Sequence, residues 1–374
     1  MKNKREILFN SILTFIMVSV ILFTNFSVSG MTSPCDLELT KINTISTGGT
    51  TTDIQIIDDI LYAADHLGLL IYNISDPSQP QRIGQNLDGG TAHGIHVEGN
   101  FAYIADLDDG LEVYDVSDLE NPQKVGTYFE GMEIDDVFVQ GTTCYVVKGT
   151  SFITLDVSDL TNITVLGSFT HSGFLYQITC VDDVAFTAAT TAVLVVLNIS
   201  DAGNIHLIGE FNDGESGRAI FVEENIVYAS CSSAGFKIVD ISDLTNPVLL
   251  GQYENTSTST RAIGVSKAGD YAFVCDYNGG LLVLDVKNPI SPTVCDFYED
   301  YGFFGPKVIK EFAYVIQTGG KIVIFQITDT VSTGVNTDTS TTRTANPNAI
   351  SGFDLTVIGL IPLLLIIKRK TWKK

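Results

Sequence analysis

Residues 101–122 read Phe-Ala-Tyr-Ile-Ala-Asp-Leu-Asp-Asp-Gly-Leu-Glu-Val-Tyr-Asp-Val-Ser-Asp-Leu-Glu-Asn-Pro, and this stretch decides the fold. Two apolar runs, 101–105 and 111–116, flank the turn pair Asp109-Gly110, and Asp118 to Pro122 stops the second run. Val, Ile, Tyr and Phe suit a pleated, buried surface, while Asp, Gly, Asn and Pro supply turn geometry. A run before them, 94–98, and one after them, 124–129, complete a set of four strands. Several runs are continuously apolar, as expected of a sheet covered on both faces.

The same unit recurs along the chain. Leu-Leu-Ile-Tyr-Asn-Ile-Ser (69–75), Leu-Glu-Val-Tyr-Asp-Val-Ser (111–117) and Phe-Ile-Thr-Leu-Asp-Val-Ser (152–158) are followed by four more copies. Anchored on Asn73, Asp115, Asp156, Asn198, Asp240, Asp285 and Gln326, the steps are 42, 41, 42, 42, 45 and 41 residues. Four strands in a period of this length mark a propeller blade. The seventh copy stops after its third strand, and an orphan strand at 37–46 precedes the first copy. The expectation is therefore an all-β, seven-bladed propeller of four-stranded blades, closed by the N-terminal strand as the last blade's outer strand. Closure also hides an edge that would otherwise template aggregation.

The repeat, with Ala-Tyr-Ile-Ala-Asp, then Gly-Leu-x-Val-x-Asp-Val-Ser-Asp and Asn-Pro, resembles the LVIVD-repeat propellers of bacterial and archaeal surface proteins over about residues 37–327. The resemblance implies an extracellular binding or scaffolding role. The copies depart from it unevenly: Asn-Pro stands only in copies two, five and six, and copies three, four, five and seven lack the aspartate found at Asp65, Asp106 and Asp276.

Both ends read as membrane addresses. Lys2, Lys4 and Arg5 precede an apolar stretch from Ile7 to Phe26 and small residues at Ser27, Ser29 and Gly30, the pattern of a secretory signal over 1–30. Residues 328–350 are a Thr-rich stalk. Residues 351–374 hold Ser-Gly-Phe-Asp, the apolar run 355–367 and a basic end, and resemble archaeal C-terminal sorting tails. Basic clusters at both extremes predict that the body, 31–327, is tethered at the cell surface and faces outward. Residues 31–350 carry 13 positive and 42 negative side chains. Such a surface repels phosphate backbones, which excludes nucleic acid as a partner.

Seven positions stand just before the innermost strands, where a propeller opens its central channel: Thr52, His93, Asp135, Tyr176, Arg218, Arg261 and Phe304. They diverge while the surrounding framework repeats, as a ligand-binding rim would. Arg218 and Arg261 suit a carboxylate or sulfate, or else pair with neighbouring repeat carboxylates. His93 and His96 lie three apart on a strand and face opposite sides, which argues against a shared metal. Asp106, Asp108 and Asp109 form an acidic loop whose hard oxygens would take Ca2+, although turn-holding is the simpler role. No other cofactor is indicated.

Six cysteines in an exported chain permit fifteen disulfide pairings. Cys231 and Cys275, near the ends of equivalent strands in adjacent blades, are the favoured pair, one position out of register. Asn73, Asn162, Asn198 and Asn255 sit in glycosylation sequons. Gly-x-Ser-x-Gly, His-Glu-x-x-His and a phosphate loop do not occur in the sequence. The leading functional expectation is a scaffold that binds a cell-surface protein or glycan. An extracellular hydrolase or lyase with its site at the same mouth, and a structural envelope component, are the alternatives.

Overall fold

Six periods of about 42 residues each form one four-stranded antiparallel sheet in strand order, a seventh sheet takes its fourth strand from the N-terminal segment, and the seven stand as blades around a channel. The structure, a computed structural model, describes residue 35 and residues 37–128, 133–254 and 262–329. Blade two illustrates the pattern with strands Ala92–Glu98, Phe101–Asp106, Gly110–Asp115 and Gln123–Tyr128. The segments expected to be a secretory signal and a C-terminal sorting tail, and most of the expected stalk, lie outside the described residues. No helix among the described residues is long and apolar enough to cross a membrane.

The core is divided rather than central. One cluster of buried side chains fills each of the seven interfaces between adjacent blades. In the second and third strands, successive residues face opposite neighbours, so both sides are apolar and the runs lose their alternation. Tyr103 and Val113 pack toward blade three, whereas Ala102 and Ile104 pack toward blade one.

The connections between third and fourth strands carry the repeated Asp/Asn-x-Ser. Asp115 Oδ1 accepts the Ser117 N–H at 2.9 Å, and Asp118 Oδ1 accepts the Glu120 N–H at 3.1 Å. The same first bond recurs at Asn73, Asp156, Asn198, Asp240 and Asp285. These side chains substitute for missing backbone partners in the turn.

Each of these turns locks into the preceding blade. Outer strands all carry a bulge at the same place, and in blades one to five the next residue is Gly84, Gly126, Gly167, Gly209 or Gly251. A Cβ at Gly209 would lie 2.1 Å from the Leu244 carbonyl oxygen of the next blade, and one at Gly84 would lie 1.8 Å from that of Leu119. The missing side chain is the notch into which the neighbouring turn fits.

Blade seven has the order expected from the sequence: Leu37–Ser46 pairs antiparallel with the final strand, Lys321–Asp329, and completes the sheet. The connection that would be blade seven's last turn is thereby replaced by the two chain ends. Blade six accordingly bears Asp296 where other blades have the glycine notch, and Asp296 Oδ2 accepts the Leu39 N–H at 2.8 Å. On the other side Asn43 occupies that position and donates through Nδ2 to the Ser78 carbonyl of blade one at 2.7 Å. Polar side chains thus bond the closing strand across both seams.

A disulfide adds to this closure, and it is not the pair expected from spacing. Cys35, just before the closing strand, is joined to Cys295, the bulge residue of blade six. Cys231 and Cys275 are both unpaired and buried, as is Cys144. Their one-position offset puts them in different spaces: Cys231 packs between blades four and five, Cys275 between six and seven. The bridge spans 260 residues, so it restricts the unfolded chain strongly. Replacing Cys35 and Cys295 together by alanine is expected to lower unfolding free energy by about 2–5 kcal/mol. Unchanged denaturant midpoints under oxidising conditions would show that the closure needs no covalent help.

Candidate functional site

The innermost strands diverge from their neighbours around the channel, so their inner N–H groups have no adjacent strand to pair with and need other acceptors. Polar side chains one position inside the rim supply them. Asp53 accepts from Ile54 of its own blade at 2.9 Å and Ile95 of the next at 3.3 Å. Asp136 does the same with Val137 at 2.9 Å and Ile178 at 2.8 Å, and Gln177 accepts from Ile220 at 2.8 Å. Two residues further in, Gln55 bonds the Val97 backbone, and the His96 ring packs 4.4 Å from that of Phe138. Burial, helped by Lys307, lowers His96 to about 4, so this imidazole is neutral.

Above this ladder lies a cavity of about 340 Å³. Thr52, His93, Asp135, Tyr176, Arg218 and Phe304, one from each of six blades, line it. Arg261 lies outside the described residues. In blade six the wall is formed by Ile263, Gly264 and Val265. Strand register explains the difference: Ala262 pairs with Asp276 as Ala92 pairs with Asp106 and Thr51 with Asp65, which makes Ile263 the counterpart of Thr52 and His93. The extra residues of the long sixth period precede its innermost strand. Counting thirteen residues back from the repeat aspartate was the signal in the sequence that identifies this position.

The rim is divided by chemistry. Thr52 donates to the Ala92 carbonyl at 2.7 Å, and His93 Nδ1 sits 2.7 Å from the Asp135 carbonyl, so blades one to three are linked side chain to backbone. Asp135 turns one oxygen to the Gly149 N–H at 3.1 Å, and burial raises its pKa. Blades six and seven present the apolar Ile263, Val265, Phe304 and Pro306. Arg218 stands between them: its Nε–H donates to Ser232 Oγ at 2.9 Å, and its guanidinium carbon lies 4.5 Å from the Tyr176 ring centroid. Among the described residues it forms no ion pair with a carboxylate. Lys307 reaches Asp53 at 3.5 Å deeper in the channel.

Asp136 carries the most informative titration of the mouth. Burial, and then the charge of Asp53, raise its carboxyl to about 7 against the two N–H groups that favour ionisation. A carboxyl raised above its unfolded value near 4 binds an extra proton in the folded state between those pH values. Its contribution is therefore most favourable at low pH and is lost as pH rises through about 7. Asp136→Asn should flatten this dependence, changing the stability difference from the parent by up to about 4 kcal/mol between pH 4 and pH 8. Parallel melting profiles across that range would rule the assignment out.

The other sequence candidates are dispersed. Asp106 is buried and its Oδ1 accepts the Asp108 and Asp109 N–H groups at 2.7 and 2.9 Å, while Asp108 takes the Thr91 hydroxyl. The Asp106 carboxylate holds the turn, and the three side chains do not gather oxygens for Ca2+. Among the described residues the one gathering of three ligand atoms is Cys35, Cys295 and Asp285, where the sulfurs are bonded to each other. Asn162 is exposed in its turn, whereas the Asn73 and Asn198 side-chain oxygens are bonded to serine N–H groups. Asn255 lies outside the described residues.

The LVIVD repeat family matches residues 48–87, 89–129, 133–171, 215–255 and 259–300, together more than half of the chain. No curated protein matches. Among solved structures, the β-propeller domain of Cps50 (Swd1) from Myceliophteria thermophila is similar at TM-score 0.65 and 11% identity, over 78% of this chain and 100% of that one. BamB from Moraxella catarrhalis is similar at TM-score 0.57 and 13% identity, over 77% and 98%. The WD40 propeller domain of Doa1 gives 0.62 and 9%, over 77% and 97%. Identities this low speak to the fold alone.

Proposed function

The chain belongs to the LVIVD-repeat family, and on that premise we propose that it is a cell-surface scaffold that binds a protein or glycan at the mouth of its channel. The observation that carries this reading is the rim itself. Seven equivalent backbone positions hold seven different side chains around one cavity, and one of them, Arg218, is oriented by Ser232 and Tyr176 without a neutralising carboxylate among the described residues. Groups needed only for packing would repeat with the framework. A hydrolase or lyase is less well supported, because the interacting carboxylates Asp53 and Asp136 both hold backbone N–H groups.

The outward location belongs to the same proposal. Its support is the basic and apolar segments at both chain ends and the Cys35–Cys295 disulfide, a bond typical of oxidising compartments. The archaeal-type tail would tether the body to the membrane. The test is saturable capture of a partner from native envelope extract, compared between the parent and Arg218→Ala. We expect the variant to lose capture while keeping its melting temperature. Equal capture would exclude the mouth as the binding face.

A further inference from the structure

We propose that the mouth takes a carboxylate-bearing sugar residue, a hexuronate within a longer glycan, with Arg218 as its clamp. The inference rests on the mouth being the binding face and adds the class of ligand. The body is rich in acids, and of the lysine and arginine that line the mouth, Lys307 pairs with Asp53 at 3.5 Å. Arg218 does not, among the described residues. Its Nε is spent on Ser232 and its face on Tyr176, which leaves the two terminal nitrogens for a planar, two-oxygen partner. The acidic body repels polyanions, so a single carboxylate flanked by neutral groups is the anion this site favours.

The rest of the wall selects the body that carries the carboxylate. Beside Arg218 lie Ile263 and Phe304, a surface for the C–H face of a ring. Across from them Asp53 and Asp135 present carboxylate oxygens which, beyond the backbone N–H groups they hold, have lone pairs left to accept from hydroxyl groups. A sugar brings several hydroxyl donors to such a wall. Each hydroxyl can turn its O–H toward an acceptor, whereas the N–H groups of a peptide carboxyl terminus are fixed by its backbone. The flanks extend the argument beyond one residue. Phe174 and Tyr301 precede the innermost strands of blades four and seven, and so stand on either side of blades five and six. They are 59% and 57% exposed, large aromatic surfaces on which neighbouring sugar rings can stack.

The experiment uses the full-length protein and a tetrasaccharide alternating glucuronate and N-acetylglucosamine, with the same tetrasaccharide after reduction of its carboxylates to alcohols. Calorimetry should show saturable binding of the charged probe and about tenfold or greater weakening on reduction. Arg218→Lys should weaken it by a similar factor, since it keeps the charge and loses the planar fork, with melting temperature unchanged. Phe174→Ala and Tyr301→Ala should weaken the tetrasaccharide but leave binding of methyl glucuronide unaltered. Equal affinity for both tetrasaccharides, or binding of neither, overturns the inference. Should an envelope partner still depend on Arg218 while no uronate binds, the sugar class falls and the mouth remains the binding face. Should neither the partner nor the uronate depend on Arg218, both readings fall.

Discussion

Deleting residues 31–47 is expected to make the ring aggregate. The deletion removes the closing strand and leaves the whole of Lys321–Asp329 as an open sheet edge. It also removes Leu37 and Ile45, each 5% exposed, from the clusters on the two sides of blade seven. Burying two such side chains contributes roughly 3–6 kcal/mol. The lost strand hydrogen bonds, the Asp296 and Asn43 seam bonds and the disulfide add to this. Domains of this kind are stable by about 5–15 kcal/mol, so the loss is comparable with the whole. Light scattering and a denaturant titration would measure it. A synthetic peptide of residues 35–47 should suppress aggregation by re-pairing the edge. A truncated protein that is monomeric and as stable as the parent would sink the closure account.

Gly209→Ala is expected to cost about 2–4 kcal/mol, a large effect for one methyl group. The new Cβ would meet the Leu244 carbonyl oxygen at 2.1 Å and carbon at 3.1 Å, and backbone cannot rotate aside as a side chain can. Blades four and five would have to part along the seam that buries Val196, Ile220 and Val239. The lowered entropy of the unfolded chain offsets only about 0.4–1 kcal/mol. Asp296→Ala is the matched control, since blade six already bears a side chain at this register and no turn presses on it. It should cost only about 1–2 kcal/mol, the bond to Leu39. Equal losses at the two sites would mean that the notch is not what aligns the blades.

The disposition of the mouth was partly legible in the sequence. Reading outward from the repeat brings Thr52, His93, Asp135, Tyr176, Arg218 and Phe304 to one cavity, because equivalent positions in equivalent blades meet around the axis. Blade six escaped that reading. Its period is 45 residues, and the added length could have entered before or after the innermost strand. The pairing of Ala262 with Asp276 makes Ile263 the rim residue, the position that counting back from Asp276 rather than along the period would have reached. The ladder of Asp53, Asp136 and Gln177 was also hidden, since an acidic pair such as Asp135-Asp136 reads equally well as a solvated turn.

By itself, the sequence determined what each unit must be: four strands, turns held by Asp and Asn, seven copies, and an orphan strand with one place to go. Those features are local, or repeat seven times, so patterning and spacing carry them. The tertiary structure decided what happens between units. Cys35 meets Cys295 across 260 residues because a bulge and the absent last turn of blade seven put them side by side. Cys231 and Cys275, closer in sequence, face different interfaces because one step along a strand reverses the direction of a side chain. Contacts of this kind depend on register across seams, which a single repeat does not encode.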